Sequence, residues 1–436
     1  MSAQPITEKI IRQAMQKADA AQVTLLTTET SSVNFENDKL KAAESSQRTN
    51  IDIKVIVGGK VGVSSTTDPR DIDGLVSRAL EAAEFGAEAH FEIPAPAELE
   101  PVKIFDPDLL PLEKPEMIRV GQQMMDMIKS YNPEILTSAA VRKHVTRVAY
   151  ANSKGARYEA EHTDFSIGAG GQLVRGQDIL FAGHGVGQKK RAVDTEEIAA
   201  QAIEYFRMAE QIVPIESGAL PVIFTPSGLI ALLLSLGMAI DGKNVLLGAS
   251  PLRDKLGVQI ADPRLTLIDD PFIEYGPNTS AFDDEGMPRK VTPLIENGVL
   301  MNFIYDLDTA GRAGAQPTGH GSRRQTTNLM IEPGDQPHEE MIKSIETGLL
   351  VEDFLGLGQG NPINGEFSVN VFLGYKIENG KVVGRVKDVM LAGNAFEALK
   401  DIVAISSDRE WVSGPWVYFS GLMPYIQIGK LSVTAK

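Results

Sequence analysis

The longest apolar run of the chain lies in the segment TPSGLIALLLSLGMAIDGKNVLLG, residues 225–248. Thr225 is a residue type that caps helices, a proline follows it, and a glycine stands where helices commonly end, so the pattern predicts one helix over 226–241. From Leu229 to Ile240 the residues are apolar apart from one serine and one glycine, and a helix that is apolar on all sides is normally buried. Spanning a bilayer takes about 20 apolar residues. This shorter run therefore predicts a core helix.

The hydrophobic pattern of the first 85 residues changes twice, from helical to strand-like and back to helical. An amphipathic pattern with charges of both signs opens the chain, which predicts a helix and argues against a signal peptide. β-Branched and polar residues then alternate through VTLLTTETSSVNFENDKL and IDIKVIVGGKVGVSSTT, which predicts strands with a turn at Gly58-Gly59. A second helix follows Asp68-Pro69. Residues 86–114 are rich in proline and acidic residues without a period, which is typical of a linker on the surface.

Residues 115–216 repeat this order of helix, strands, glycine-containing turn and helix. An offset of 115 residues relates Val33, Phe35, Asn37 and Lys39 to Val148, Tyr150, Asn152 and Lys154. Two units alike in this way predict a duplication, although any two hairpin-and-helix units resemble each other when only four positions are compared.

The remaining residues, 217–436, are rich in strand patterns. LPVIFTPS leads as a strand into the apolar helix, Asn297-Gly298 and Asn379-Gly380 are hairpin signals, and GLMPYIQIGKLSVTAK predicts a final strand. The predicted fold class is therefore α+β: a duplicated α-β-β-β-α N-terminal region (1–85 and 115–216), followed by a strand-rich barrel-like or sandwich C-terminal domain around a buried helix.

Composition mainly excludes functions. The formal net charge is −16 and the basic residues are scattered, so we expect no nucleic-acid partner. There are no cysteines, which excludes disulfides, thiolate nucleophiles and zinc-cysteine sites. We predict a cytoplasmic protein with no membrane partner.

Familiar catalytic motifs are missing from the sequence. It contains neither the GxxxxGK[ST] phosphate loop nor the GxSxG elbow. His338-Glu339 begins like a zincin motif, but Ile342 stands where the second histidine would be. His184 and His320 lie in glycine-rich segments beside basic residues, and each either contacts an anionic group or belongs to a solvated loop.

Several C-terminal motifs together resemble the TldD/PmbA family. These are PTGHGSRR, TTNLMIEPGD, the stretch from GNPINGEFSVNVFLGYKIENG to AISSD, and MPYIQIGKLSV. The resemblance covers the whole chain. His320, Arg323 and Asn328, which lie in the first two motifs, are candidates for loops of a peptide chamber.

The resemblance implies a zinc peptidase branch with the motif HExxGH, followed by LEGD and a later cysteine. Aligned through Gly237 and Gly242, that motif places its first histidine at Leu233, its glutamate at Leu234 and its second histidine at Met238. Aliphatic and thioether groups neither hold zinc nor move a proton. The cysteine would fall near 411–418. The chain therefore resembles the PmbA branch, also called TldE, and we expect no metal, no cofactor and no activity alone.

In that branch the resemblance implies a partner and a role. The expected role is a non-catalytic subunit of a TldD/TldE-type metallopeptidase complex that encloses and degrades unfolded peptides, with a TldD-type subunit or a second copy as the partner. The alternative is a homodimeric peptide-binding or regulatory protein, a modulator of DNA gyrase or of a toxin-antitoxin system. A third hypothesis is that this chain is itself an enzyme and uses a different set of ligands, such as His320 or Asp269-Asp270. We also predict that Leu233, Leu234 and Met238 are core residues.

Overall fold

The computed structural model describes residues 4–191, 194–357, 361–413 and 419–435. Within these ranges no helix is both long and apolar enough to cross a membrane. The helices are α1 (Gln4–Ala14), α2 (Ile72–Glu84), α3 (Lys114–Tyr131), α4 (Thr195–Met208), α5 (Ile230–Ile240), α6 (Gly242–Leu246), α7 (Leu307–Ala313), α8 (His338–Lys343) and α9 (Ala395–Lys400).

The strands form two sheets. They are β1 (Ala20–Glu36), β2 (Lys39–Val57), β3 (Lys60–Thr66), β4 (Leu136–Asn152), β5 (Arg157–Arg175), β6 (Asp178–Gln188), β7 (Gly218–Phe224), β8 (Leu267–Asp269), β9 (Thr292–Glu296), β10 (Val299–Leu300), β11 (Leu329–Ile331), β12 (Thr347–Leu355), β13 (Glu366–Glu378), β14 (Lys381–Arg385), β15 (Val389–Asn394), β16 (Ile402–Val412) and β17 (Gly421–Ala435).

The first sheet confirms the predicted duplication. Its six strands run β3-β2-β1-β4-β5-β6, all antiparallel, so two three-stranded units meet where β1 pairs with β4. β1 and β4 each have 17 residues, and β2 and β5 each have 19. Each unit packs its own two helices on the sheet, α1 with α2 and α3 with α4. The order α-β-β-β-α therefore occurs twice.

The second sheet closes into a barrel. β17 pairs with β15, β15 with β13, β13 with β12, β12 with β7, and β7 pairs back with β17. The pairing of β12 with β7 is parallel, whereas the other four are antiparallel. β11, β8, β9 and β10 continue the sheet outward from β17 as an open half-barrel. The predicted strand-rich domain is thus a closed barrel with an attached half-barrel.

Helix α5 contributes to the barrel's hydrophobic core and packs on α9. It begins at Ile230, four residues later than the sequence pattern predicts. Thr225 accepts a hydrogen bond from the Gly228 amide at 3.1 Å and closes a turn instead of a helical start. A Cβ at Gly228 would lie 2.4 Å from the Val351 carbonyl oxygen, so this turn is pressed against β12.

A buried contact joins the first sheet to the loops of the second. The Tyr150 hydroxyl donates to the Glu285 carbonyl oxygen at 2.9 Å, and Lys54 Nζ lies 3.0 Å from Glu285 Oε1. The other carboxylate oxygen, Oε2, accepts from the Leu307 amide at 2.8 Å. The loop around Glu285 is therefore fixed from both sides.

Ile428 tests the importance of barrel closure. Its side chain is fully buried where β17 pairs with both β7 and β16, so Ile428→Ala leaves a cavity and should lower the free energy of unfolding by about 2–5 kcal/mol. Chemical denaturation measures this directly. Lys430→Ala, an exposed control on the same strand, should change it by less than about 0.5 kcal/mol. Equal midpoints for the two variants would contradict a closed barrel core.

Candidate functional site

One face of α5 lines a pocket of about 570 Å³. The pocket lies between the helix and the segment 324–329, with Phe419 and Ser420 contributing at the start of β17. Leu233 is buried, with 6% exposed. Leu234 and Met238 are only half-buried, and both line the pocket. The prediction that all three are core residues is therefore wrong for Leu234 and Met238, because α5 is apolar toward a cavity as well as toward the core.

The two charged side chains that line this pocket, Asp241 and Arg324, hold each other. Asp241 accepts from the Lys243 amide at 2.8 Å and from Arg324 Nε at 2.7 Å. Arg324 also donates to Asp306, which caps α7. Asp241, Arg324 and Asp306 therefore attach the segment after Gly321 to the C-terminal end of α5 and to the N-terminal end of α7.

The described lining residues do not fit a zinc ion. A catalytic zinc site needs three protein ligands and an open position. Among these residues there is neither a histidine nor a glutamate, and the single aspartate, Asp241, already accepts two hydrogen bonds. Residues 414–418, where the resemblance places most of the cysteine stretch, lie outside the described residues.

A larger cleft of about 1100 Å³ adjoins the pocket. It lies between the first sheet and the loops of the half-barrel, and Asn278, Gln325 and Thr326 line both cavities. The side chains of Gln325 and Thr326 make no hydrogen bond within the described part of the chain. Free amide and hydroxyl groups at this junction can bind the backbone of an extended peptide.

His320 lies in the cleft wall and is 3% exposed. The Thr318 hydroxyl donates to the Tyr305 carbonyl oxygen, so the imidazole Nδ1–H donates to Thr318 Oγ1, at 2.9 Å. Nε2 lies 3.1 Å from Asp269 Oδ2, but it is not aligned for a hydrogen bond. The prediction of a solvated loop is wrong for His320, because the ring is buried against a carboxylate.

Arg323 and Asn328 have different positions. Arg323 is exposed in the cleft and has no hydrogen bond or ion pair with any described residue. Asn328 is fully buried and does not line the cleft. Its side chain accepts from the Asn278 amide at 3.0 Å and donates to Thr279 Oγ1 at 2.9 Å. Of the predicted loop residues, His320 and Arg323 share a cavity, while Asn328 shapes its wall.

His162 also lines the cleft, and sequence reasoning missed it. Burial, aided by the charge of Lys189, lowers the pKa of His162 to about 4, although Asp164 opposes the shift. Lys189 is buried and lies 3.0 Å from Asp164 Oδ1. His162 and Asp164 are two residues apart on β5, so both side chains lie on one face of the sheet. This spacing is the feature of the sequence that could have predicted their proximity.

His184 is not in a turn. It lies in β6, paired with Ala169 of β5, and its ring packs edge-on at 6.4 Å from Tyr205 of α4. Burial lowers the pKa of His184. The predicted loop is a strand because alternate glycines allow β5 and β6 to approach closely: a Cβ at Gly170 would lie 2.5 Å from the Cα of Gly183.

Comparison with known proteins identifies the family. The sequence pattern of the PmbA/TldA metallopeptidase C-terminal domain matches residues 217–435, and that of PmbA/TldA metallopeptidase domain 1 matches residues 21–83. The chain belongs to the PmbA/TldD metallopeptidase family, as the motifs predict.

Two archaeal proteins are similar over most of the chain. An uncharacterized protein of Methanocaldococcus jannaschii is 26% identical over 95% of this chain and 98% of its own. A protein of Methanothermobacter thermautotrophicus named as a metalloprotease is 26% identical over 90% and 89%.

Solved structures share the fold. TldE from Thermococcus kodakarensis superimposes with a TM-score of 0.91 at 22% identity, covering 99% of this chain and 100% of its own. A candidate modulator of a DNA gyrase from Thermotoga maritima gives a TM-score of 0.90 at 24% identity and the same coverage.

The lowered pKa of the half-buried His162 predicts that the fold is less stable in acid. Between about pH 6.5 and 4 the unfolded chain binds a proton at this imidazole that the folded chain does not, so the free energy of unfolding falls as the pH falls. His162→Gln should therefore lose about 2 kcal/mol less than the parent between pH 7.5 and 5. Urea unfolding at the two pH values measures the difference. The exposed His90→Gln should retain the parental pH dependence, and identical behaviour of the His162 variant would contradict the prediction.

Proposed function

We propose that this chain is the non-catalytic subunit of a TldD/TldE-type peptidase pair and contributes wall and peptide track to a chamber for unfolded peptides. The observation that carries the proposal is the α5 pocket. Leu233, Leu234 and Met238 line this pocket, and the family resemblance aligns them with the metal ligands and the base of the peptidase branch. An apolar floor can hold a side chain of a peptide but cannot activate water.

The neighbouring cleft supports a peptide as the ligand. It has a volume of about 1100 Å³, it is lined by charges of both signs, and it shares Gln325 and Thr326 with the α5 pocket. Backbone-directed hydrogen bonds with few charged anchors favour an extended chain of varied sequence over a folded protein.

The carboxylates near His320 do not favour a catalytic role for this chain alone. Asp269 accepts from both the Thr327 amide, at 2.6 Å, and the Thr327 hydroxyl, at 2.9 Å. Asp270 accepts from the Phe272 amide at 2.8 Å. Both side chains accept hydrogen bonds from their own loops, so neither is free to act as a general base. This does not favour the hypothesis of an enzyme based on His320 and Asp269-Asp270.

The proposal predicts activity only in a pair. The purified chain should contain well below one zinc per chain and leave an unfolded casein peptide intact, because the pocket lacks a ligand set. Adding a TldD-type subunit from the same cells should give a larger species by light scattering and chelator-sensitive cleavage.

Two results would contradict this reading. One zinc per chain with cleavage by the chain alone would make it a peptidase in its own right. A stable homodimer that binds peptide and ignores every TldD-type subunit would favour the regulatory alternative.

Gly237 offers a way to fill the pocket without disturbing the core. It lies on α5, it lines the pocket, and a Cβ placed there meets nothing within 4 Å. Gly237→Leu should keep or raise stability, since glycine in a helix costs about 0.5–1 kcal/mol. Peptide cleavage by the reconstituted pair should fall about tenfold, because added methylenes cost about 1–3 kcal/mol where the peptide lies.

The matched control is Gly218→Leu. Gly218 lies on β7, also has nothing within 4 Å of a Cβ, and is outside both cavities. This variant should cleave like the parent. If Gly237→Leu folds normally and the pair remains fully active, the peptide does not pass through the α5 pocket.

A further inference from the structure

A third cavity, of about 830 Å³, lies between helices α4 and α8, over the outer surface of the barrel. It shares no lining residue with the cleft or the α5 pocket. We call it the tyrosine cleft. Its buried lining residues include Tyr205, Thr225, Leu350, Tyr375 and Tyr425, and the half-buried Glu410 also lines it.

Glu352 lies behind this lining. The pairing register of β12 with β13 shifts between Val351 and Asp353, so Glu352 occupies an irregular position of the strand. Irregularities of this kind redirect a side chain and often occur next to functional sites. Glu352 is 8% exposed, and its buried Oε2 atom has no hydrogen-bond partner among the described residues.

The carboxyl group of Glu352 contacts the residues that form the cleft floor. Burial and the nearby Glu410 raise its pKa to about 7, although the neighbouring hydroxyls of Thr225, Tyr205 and Ser227 oppose the shift. The titratable groups that face it from the packed elements are Glu410, Tyr205, Tyr375 and Tyr425.

Glu410 lines the cleft itself. Its Oε1 atom accepts from the Tyr425 hydroxyl at 2.9 Å. Tyr425 in turn stacks on the His338 ring, with centroids 4.1 Å apart, and that ring pairs with Asp408 at 2.5 Å. His338, at the start of α8, therefore contacts both Tyr425 and Asp408.

The buried Glu352 and the half-buried Glu410 form an acidic pair. Basic side chains line the same cleft, but Arg207 and Lys343 pair with Glu204 and Glu340 instead. Within the described ranges, no lysine or arginine forms an ion pair with Glu352 or Glu410. Burying carboxylates without a partner is costly unless they are protonated or a ligand supplies positive charge. The surrounding hydroxyls donate to carboxylates and keep lone pairs that can accept hydrogen bonds from a cation.

We propose that the tyrosine cleft binds a primary ammonium group of a peptide or amino acid, with Glu410 and the tyrosines in contact and Glu352 supplying charge directly behind them. Tyrosine faces favour ammonium groups by cation–π attraction. A metal ion fits less well, because the one described group of three side chains spaced for a metal, His338 with Glu339 and Asp408, contains neither Glu352 nor Glu410. The site is independent of the proposed peptidase role, since it uses none of those residues.

Calorimetric titration of the full-length chain tests the site. The probes are Nα-acetyl-lysine methylamide, which offers a side-chain ammonium group, and leucine methylamide, which offers an α-ammonium group. Nα-acetyl-norleucine methylamide is the uncharged control of similar shape, and manganese chloride tests for a metal site. We expect saturable binding of one or both amines and none of the norleucine compound or manganese.

Single variants test the two carboxylates. Glu352→Gln and Glu410→Gln keep the side-chain shape but remove a negative charge. Each should weaken amine binding about tenfold, because hydrogen bonds to a charged group are stronger than those to a neutral one. The matched control is Glu346→Gln, an exposed position just before the same strand, which should bind like the parent. Thermal unfolding of each variant establishes that it is folded before it is titrated.

Proton release separates a binding site from a merely structural carboxyl. At pH 6 Glu352 holds a proton, which ammonium binding should displace, whereas at pH 8.5 it is already ionised. Titration with Nα-acetyl-lysine methylamide, whose ammonium group stays charged at both pH values, is done in two buffers of different ionisation enthalpy. It should show release of close to one proton at pH 6, none at pH 8.5, and none at either pH for Glu352→Gln. Equal binding by the folded variants and the parent, no amine binding at all, or binding of manganese instead would each overturn the proposal.

Discussion

The pairing of β17 with four neighbours is the constraint on which the rest of the structure depends. This strand closes the barrel between β7 and β15, and it also carries β16 and the half-barrel strand β11. It is buried on both faces from Met423 to Ile428. Ile426 and Ile428 belong to the barrel core, whereas Tyr425 belongs to the core under α3 and α4. One strand therefore joins two hydrophobic cores, and the α5 pocket and the tyrosine cleft both border on it.

Much of the architecture follows from local sequence patterns. The duplicated helix-and-strand units were predictable because period-two alternation and short glycine turns act within a few residues. The same is true of the two Asn-Gly hairpins: Asn297 and Asn379 have φ values of 47° and 51°, and the glycines after them have 80° and 73°, as such turns require. α5 was predictable as a helix because its composition leaves no other interpretation.

The sidedness of that helix was not predictable, because apolar side chains facing a cavity and apolar side chains facing a core look the same in sequence. Leu233 and Leu234 are neighbours of one type and both line the pocket, yet Leu233 is buried and Leu234 only half-buried. The tyrosine cleft was also unpredictable from the sequence. Nothing in the local sequence marks Glu352 as irregular in register, since that depends on its pairing with β13, which lies beyond a loop.

The segment between the two cavities shows how backbone strain and ion pairs combine at the site. Arg324 has φ at 52°, a conformation that costs a residue with a side chain of order 1 kcal/mol or more. Its pairs with Asp241 and Asp306 offset that cost, since its side chain is only 15% exposed and such pairs are weakly screened. Arg323 next to it lines the cleft without a described partner, so one turn assigns adjacent arginines to different tasks. Arg324 stabilises the wall of the α5 pocket, and Arg323 exposes a positive charge to a ligand in the larger cleft.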